Sequence, residues 1–158
     1  MTTAQRQAYI EQMGAFPAEL EALVTPLTED QLEMREGPNE WSVRQIVHHL
    51  VDSHLNAMAR MKLPLTEDHP TIKTYDQEKW AQLADYKLPI ESSLLILKGL
   101  HIHFVALLSS LSDEQWTRPL THPEAGEQVV EDIAQTYAWH GNNHIEQITR
   151  ALAVGLRK

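Results

Sequence analysis

The sequence of 158 residues contains no cysteine. This absence excludes disulfides, iron–sulfur clusters, cysteine zinc sites and a thiolate nucleophile that belongs to the chain itself. Histidine and the carboxylates remain as strong metal ligands, and nine histidines are present. Any thiol chemistry would therefore need a thiol from another molecule.

Basic residues are also few. The chain has 13 Lys and Arg against 22 Asp and Glu, which gives a formal net charge of −9. Because binding to a polyanion relies on clustered Lys and Arg, and no such cluster exists here, we expect no nucleic-acid partner.

Long apolar runs and a secretory leader are missing as well. Charged residues interrupt the apolar stretches every few positions, so we expect no helix with the roughly 20 apolar residues of a membrane span. Residues 1–10 lack the basic start and apolar centre of a signal peptide. These absences predict a cytoplasmic protein without a membrane association.

What the sequence does contain is helical periodicity. Hydrophobic residues make up 42% and charged residues 22% of the chain, as in soluble globular proteins, and the length predicts one domain over residues 1–158. The spacing of apolar residues predicts helices over about residues 3–27, 42–62, 91–111 and 129–154. Pro17 is expected to kink or restart the first helix, and Pro64 to end the second.

The connections between these helices are rich in turn residues. Residues 65–88 form a long crossover with a short helix around 76–83, and residues 118–128 are predicted to be a loop because they contain two prolines and a glycine. No segment shows convincing strand alternation. The predicted fold is an all-α four-helix bundle with a long crossover connection.

His140 and His144 lie four residues apart on the last predicted helix, so both side chains can point at one ion. Nine histidines in a chain of this length would give roughly 0.5 such pairs by chance. The pair shares a helix face with Ile133, Tyr137 and Ile148, which places it on an inward stripe. A hydrogen-bonded pair in the core, without metal, remains the alternative.

The second helix offers His48, His49 and His54 as further ligands, since facing helices of a bundle can share a metal. Its apolar residues place His54 nearest the centre of the buried face, with His48 and His49 off that centre. Helical phase alone therefore favours His54 weakly and leaves the third ligand open.

The remaining histidines and the tryptophans are interpreted as structural. Two of these histidines face different directions on the third helix and two lie beside prolines, so we expect them to be structural or solvated: His101, His103, His69 and His122. The tryptophans are expected to pack in the core or between helices: Trp41, Trp80, Trp116 and Trp139.

Several segments together resemble the DinB-like four-helix bundles and, among them, the YfiT-type metal-dependent hydrolases, now associated with bacillithiol S-transferase activity. The likeness covers most of the chain. It is carried by residues 41–54 (WSVRQIVHHLVDSH), 65–72 (LTEDHPTI) with 75–76 (YD), 122–123 (HP), and the WH and HI pairs at 139–140 and 144–145.

The resemblance implies a divalent ion, zinc or nickel, bound by His49, His140 and His144. It selects His49 over His54, because the family ligand directly precedes a leucine on the second helix. One departure is that a known family member is richer in histidine between the last two ligands, where this chain has residues 141–143 (GNN).

The resemblance also implies an activity. Three neutral imidazoles leave an open position on the metal, as in catalytic sites, for water in hydrolysis or for a small thiol in S-transfer. We expect a small-molecule substrate, a low-molecular-weight thiol as co-substrate and a homodimer. Asp52, Thr136 and Gln147 are candidates for contact with the ligands. A non-catalytic, metal-stabilised binding module and a metal-free helical interaction protein remain the alternatives.

Overall fold

Four long helices dominate the computed structural model, which describes residues 1–155. In chain order the helices are α1 (Thr3–Val24), α2 (Glu29–Leu32), α3 (Val43–Thr66), α4 (Gln77–Trp80), α5 (Glu91–Ser109), α6 (Asp113–Trp116) and α7 (Val130–Gly155). A 3₁₀ turn covers Ala84–Lys87, and two strands, β1 (Pro119–His122) and β2 (Gly126–Val129), precede α7. The predicted helical bundle is confirmed, with α1, α3, α5 and α7 as its four members.

Four helices begin with a capping box, in which a Ser or Thr hydroxyl accepts from a backbone N–H and a side chain three residues later accepts from the backbone N–H of the cap. Glutamine is that later residue each time. The pairs are Thr2 with Gln5, Thr28 with Gln31, Ser42 with Gln45, and Ser112 with Gln115.

The packing order of the helices differs from their order in the chain. The principal contacts of α1 are with α5 and α7, and those of α3 are with the same two helices. The long connection after α3 therefore joins neighbouring helices, whereas the steps from α1 to α3 and from α5 to α7 cross the bundle. As a result α3 and α7, the second and fourth long helices in the chain, lie side by side.

The prolines interrupt the helices less than predicted. α1 continues through Pro17, because the residues around it are anchored: Phe16 is 2% exposed and Leu20 is fully buried. α3 continues past Pro64 to Thr66 and ends with a hydrogen bond of 2.8 Å from the N–H of Glu67. Pro64 removes only one hydrogen bond, in the last turn of the helix. The helix therefore ends a few residues later than predicted.

The loop predicted for residues 118–128 is in fact a hairpin. Strands β1 and β2 pair antiparallel, from Pro119 opposite Val129 to His122 opposite Gly126. Pro119 is tolerated because it is the first residue of its strand, and Gly126 adopts a φ of 80° that favours glycine. Strands of four residues are too short to show alternation in the sequence.

α5 is more apolar than we expected of any helix from the sequence. It has 19 residues with a mean hydropathy of 1.5, and within residues 1–155 it is the one helix long and apolar enough by composition. In the bundle it packs on α1 and α3 through Leu97, Phe104 and Leu108, while Leu95 and Ile102 are 73% and 67% exposed. Apolar residues therefore lie on both its buried face and its exposed face.

A glycine sets the distance between α1 and α7. A Cβ atom at Gly141 would lie 2.6 Å from the ring of Phe16, closer than packed carbon atoms approach. The Phe16 ring fills this space and stacks on His54, with ring centroids 5.3 Å apart. Gly141 therefore lets α1 close over the histidines of the core.

Candidate metal centre

Helices α3 and α7 bring His49, His140 and His144 together. One ring nitrogen of each lies within 4.8 Å of the others, in a group whose burial ranges from complete to partial. The ring centroids of His140 and His144 are 4.5 Å apart, and that of His49 is 5.5 Å and 5.0 Å from them. The structure thus assembles the three residues that the family resemblance selects, and their role as ligands stays a prediction.

The spacing of the nitrogens suits a tetrahedral ion. His140 Nε2 and His144 Nε2 are 3.2 Å apart. Two ligands of tetrahedral zinc, each about 2.0–2.1 Å from the metal, are separated by about 3.3–3.4 Å. His49 Nδ1 is buried and has no hydrogen-bond partner within residues 1–155. An unpaired polar atom at such a place is costly unless an ion or water satisfies it, so the residues present fit a divalent metal.

Burial keeps these imidazoles neutral. Loss of solvation, and to a smaller extent the nearby His144, lowers the pKa of His49 to about 3 and that of His140 to about 2. Burial also lowers the pKa of His144, against the opposing effect of its bond to Gln147. Near neutral pH the three rings are therefore unprotonated and have lone pairs available for a metal.

Of the three polar residues considered as supports, Gln147 contacts one of the candidate ligands. His144 Nδ1 donates to Gln147 Oε1 at 2.8 Å, which leaves His144 Nε2 free to face His140. The carboxylate of Asp52 instead accepts from the hydroxyl of Tyr86 at 2.7 Å, and the hydroxyl of Thr136 donates to the carbonyl of Asp132.

His54, which helical phase favoured as a ligand, lies beside the cluster rather than in it. Its side chain is fully buried, and both of its ring nitrogens are engaged, with His101 at 2.7 Å and with His140 at 3.2 Å. Helical phase could not separate the candidates because α3 is buried over a wide arc that includes His48, His49 and His54.

The other histidines have structural or solvated positions, as expected. His101 is buried and hydrogen-bonded, His103 is exposed, His69 pairs with Glu127, and His122 accepts from the backbone N–H groups of the hairpin turn. His48 is held by Ser93 and by the carbonyl of Leu88.

The tryptophans correct an expectation. Trp116 is buried, but Trp80 and Trp139 are 37% and 65% exposed, because their positions on α4 and α7 face outward. Trp41 covers the cluster: its ring lies 4.5 Å from that of His49, and its Nε1 donates to Glu78. Sequence reasoning gave Trp41 no place near the site, although it directly precedes the Ser42 cap of α3.

A cavity of about 240 Å³ opens beside His144. Its lining combines carboxylates, amides and one indole ring: Asn39, Glu40, Trp41, Gln77, Glu78 and Gln147. The cluster is therefore accessible from a polar pocket formed by the chain before α3, by α4 and by α7.

Comparison with known proteins identifies the family. The sequence profile of the DinB superfamily matches residues 12–148. This chain belongs to the DinB superfamily.

Two DinB relatives, each named "putative metal-dependent hydrolase", come from Halalkalibacterium halodurans and Bacillus cereus. The first is 43% identical over 92% of this chain and 85% of its own length, and the second is 43% identical over 94% and 86%.

A solved DinB-type structure agrees with the fold. YfiT from Bacillus subtilis, described as "a probable metal-dependent hydrolase with an unusual four-helix bundle topology", superimposes with a TM-score of 0.93 and 37% sequence identity. The match covers 99% of this chain and 90% of that one. The resemblance read from the sequence segments is thereby confirmed.

Proposed function

We propose that this protein is a metal-dependent enzyme in which His49, His140 and His144 bind a divalent ion, zinc or nickel, that activates a small nucleophile. The observation that carries the proposal is the convergence of three neutral imidazoles, with ring nitrogens within 4.8 Å of one another, beside an open polar pocket. The names of the DinB relatives, which describe metal-dependent hydrolases, support it.

A divalent ion on three imidazoles keeps an open position and lowers the pKa of a water or thiol that binds there. The chain's own residues do the rest. Gln147 orients His144, and the ring of Trp41 excludes water from one side of His49. With a metal bound, the pocket beside His144 would give water or a thiol access to it, while the fully buried His54 hydrogen-bonds to His140 inside the bundle.

The pocket favours a polar substrate with hydrogen-bond donors. Glu40 and Glu78 supply carboxylates, and Asn39 and Gln77 supply amides, so hydroxyl or ammonium groups of a small molecule would find acceptors there. At about 240 Å³ the pocket is smaller than most drug-binding sites, which suits a metabolite-sized co-substrate.

We favour S-transfer from a small thiol to an electrophile such as an epoxide. A sulfur–carbon bond forms, a carbon–oxygen bond of the ring breaks, and the thiol proton ends on the released oxygen. The thiol must come from another molecule because the chain has no cysteine. Hydrolysis, in which water takes the place of the thiol, is the second candidate because the DinB relatives carry that name.

The metal is tested first. We expect untagged protein to hold about one equivalent of metal by mass spectrometry, and His49→Ala and His144→Ala to lose it, because each removes one of three ligands. His103→Ala, which removes an exposed histidine on α5, is the matched control and should keep the metal. Wild-type protein that refuses both zinc and nickel would refute the proposal.

The reaction is tested next with metal-loaded protein. Turnover of a thiol with an epoxide, lost in His49→Ala, supports S-transfer, whereas cleavage of esters or amides without a thiol supports hydrolysis. If neither occurs and metal removal only lowers the melting temperature, the ion is a clamp between α3 and α7 and the binding-module alternative holds.

We also propose a homodimer, on the resemblance to the family. Light scattering coupled to size-exclusion chromatography distinguishes it from a monomer of 18.1 kDa. A mass near that of one chain at micromolar concentration would refute it.

A further inference from the structure

The half-buried His140 and two buried histidines form a hydrogen-bonded chain that leads from the proposed metal site to α1. His140 Nδ1 lies 3.2 Å from His54 Nε2, and His54 Nδ1 lies 2.7 Å from His101 Nε2. The chain ends at His101 Nδ1, which is 2.6 Å from the backbone carbonyl oxygen of Met13. Helices α7, α3 and α5 each contribute one histidine, and α1 contributes the carbonyl at the end.

The carbonyl at the end sets the direction of every bond. Because a carbonyl oxygen only accepts, His101 Nδ1 must carry a proton and donate to Met13. A neutral His101 then has an unprotonated Nε2, which accepts from His54 Nδ1. A neutral His54 in turn has an unprotonated Nε2, which accepts from His140 Nδ1. His140 is left with an unprotonated Nε2, which the hydroxyl oxygen of Ser53 approaches at 3.4 Å.

The surroundings favour neutral rings throughout. His54 is fully buried and His101 is 2% exposed. The rings of Phe16 and Phe104 lie against both of them, and within residues 1–155 neither histidine hydrogen-bonds to a carboxylate. An added positive charge would lose its hydration here without a carboxylate among these hydrogen-bond partners to compensate.

We propose that His54 and His101 are positioning residues that hold His140 as the Nδ1–H tautomer and so present its Nε2 lone pair to the metal. The inference rests on the proposed metal site, but its first test needs no metal. We call His140, His54 and His101 the histidine relay.

The relay excludes a competing state of the site. Without an acceptor at His54, the proton of His140 can move to Nε2, which faces His144 Nε2 at 3.2 Å. A hydrogen bond between these two nitrogens would occupy the lone pairs of both ligands. Instead, the relay holds the proton of His140 on Nδ1, and Gln147 holds that of His144 on Nδ1. The Nε2 lone pairs of both residues are then available to one ion. Outer hydrogen bonds of this kind typically change metal affinity by about 10–100-fold.

The tautomers are measured directly by long-range ¹H–¹⁵N NMR of the imidazole rings in metal-free, full-length wild-type protein at pH 7.5. The expected spectrum shows Nδ1 protonated and Nε2 unprotonated in all three rings of the relay. Signals are assigned by their loss in single variants. A His140 ring protonated at Nε2, or charged, would overturn the proposal without any variant being made.

Zinc affinity, measured by competition with a chelating dye, tests the consequence. His54→Leu should bind Zn²⁺ about 10–100-fold more weakly. His54→Gln, whose amide oxygen can accept from His140, should recover most of the loss. His101→Leu should weaken binding in the same direction but less, and His101→Gln should restore it.

Phe16→Leu is the matched control, because it disturbs the packing around His54 and His101 without removing a hydrogen bond. It should lower stability and leave zinc affinity within about threefold of wild type. Equal losses in Phe16→Leu and His54→Leu would overturn the relay in favour of plain packing. A wild-type protein with the expected tautomers that binds neither zinc nor nickel would refute the proposed function and leave the relay without a metal role.

Discussion

At the residue scale, Gln147 is the support whose loss should affect the proposed ligands most selectively. Gln147→Leu removes the acceptor for His144 Nδ1, so the His144 ring can turn or change tautomer. We expect Zn²⁺ affinity to fall about 10-fold with little change in the melting temperature. Competition with a chelating dye measures the affinity, and calorimetry measures the melting temperature.

Two further variants serve as controls for the Gln147→Leu result. Gln147→Glu retains an acceptor and should bind zinc at least as tightly as wild type, since a carboxylate raises the basicity of the ligand it supports. Thr136→Ala, which removes a hydroxyl bonded to the helix backbone only, should leave zinc affinity unchanged. Unchanged affinity in Gln147→Leu would show that the ring of His144 is held by packing instead.

The sequence predicted some of these residues and not others, for physical reasons. His140 and His144 stand out because four residues complete about one helical turn. His49 does not, because the buried arc of α3 is wide enough to include His48 and His54 as well. The contacts of Trp41, His54 and His101 join different helices, so spacing along the chain gives no sign of them.

At the scale of elements, the contact of α1 with α7 depends on Gly141. In Gly141→Ala the new Cβ would meet the ring of Phe16 at 2.6 Å, and either the ring or α1 must shift. We expect a loss of about 1–3 kcal/mol in the free energy of unfolding, as for other overpacked cores. Urea denaturation followed by circular dichroism measures it.

Gly99→Ala is the natural comparison, because Gly99 lies on an exposed face of α5 with no other heavy atom within 4 Å of an added Cβ. Alanine there should stabilise the protein by about 0.5–1 kcal/mol through helix propensity. If both glycine variants are stabilised, Phe16 adjusts freely and the close approach of α1 has no energetic significance.

Elements differed in how well the sequence predicted them. The long helices were predicted to within a few residues because their periodicity extends over several turns and Ser42 caps α3 as expected. The hairpin was missed because its pairing joins residues 119–122 to 126–129 and to Thr71 in a distant segment. Pro17 and Pro64 were given too much weight, since packing of the neighbouring residues holds the helix on both sides.

At the scale of the whole molecule, the buried histidines make stability depend on pH. Burial lowers the pKa of His101 to about 4, against 6.5 for an unfolded histidine. Above pH 6.5 neither state binds the proton and stability is complete. Between pH 6.5 and about 4 the unfolded chain takes up a proton that the folded chain does not, so stability falls as the pH falls.

For His101 the expected loss between pH 7.5 and pH 5 is about 2 kcal/mol. The other buried histidines shift in the same direction, so the total loss is larger. Urea denaturation of metal-free protein at the two pH values measures it. His101→Leu should show a smaller loss than wild type, whereas His103→Ala, at an exposed position, should show the same loss. A stability that is flat over this range would contradict the burial of neutral rings.

The glutamines of the four capping boxes give this acid sensitivity a particular form. An amide does not titrate, so the boxes at the starts of α1, α2, α3 and α6 keep their hydrogen bonds at pH values where glutamate in the same place would be protonated. Acid therefore acts on the packing between helices and leaves the local signals for helix initiation intact. The expanded acid state should retain far-ultraviolet circular dichroism while its aromatic signal disappears, and raising the pH should restore the bundle from helices that already begin at the right residues.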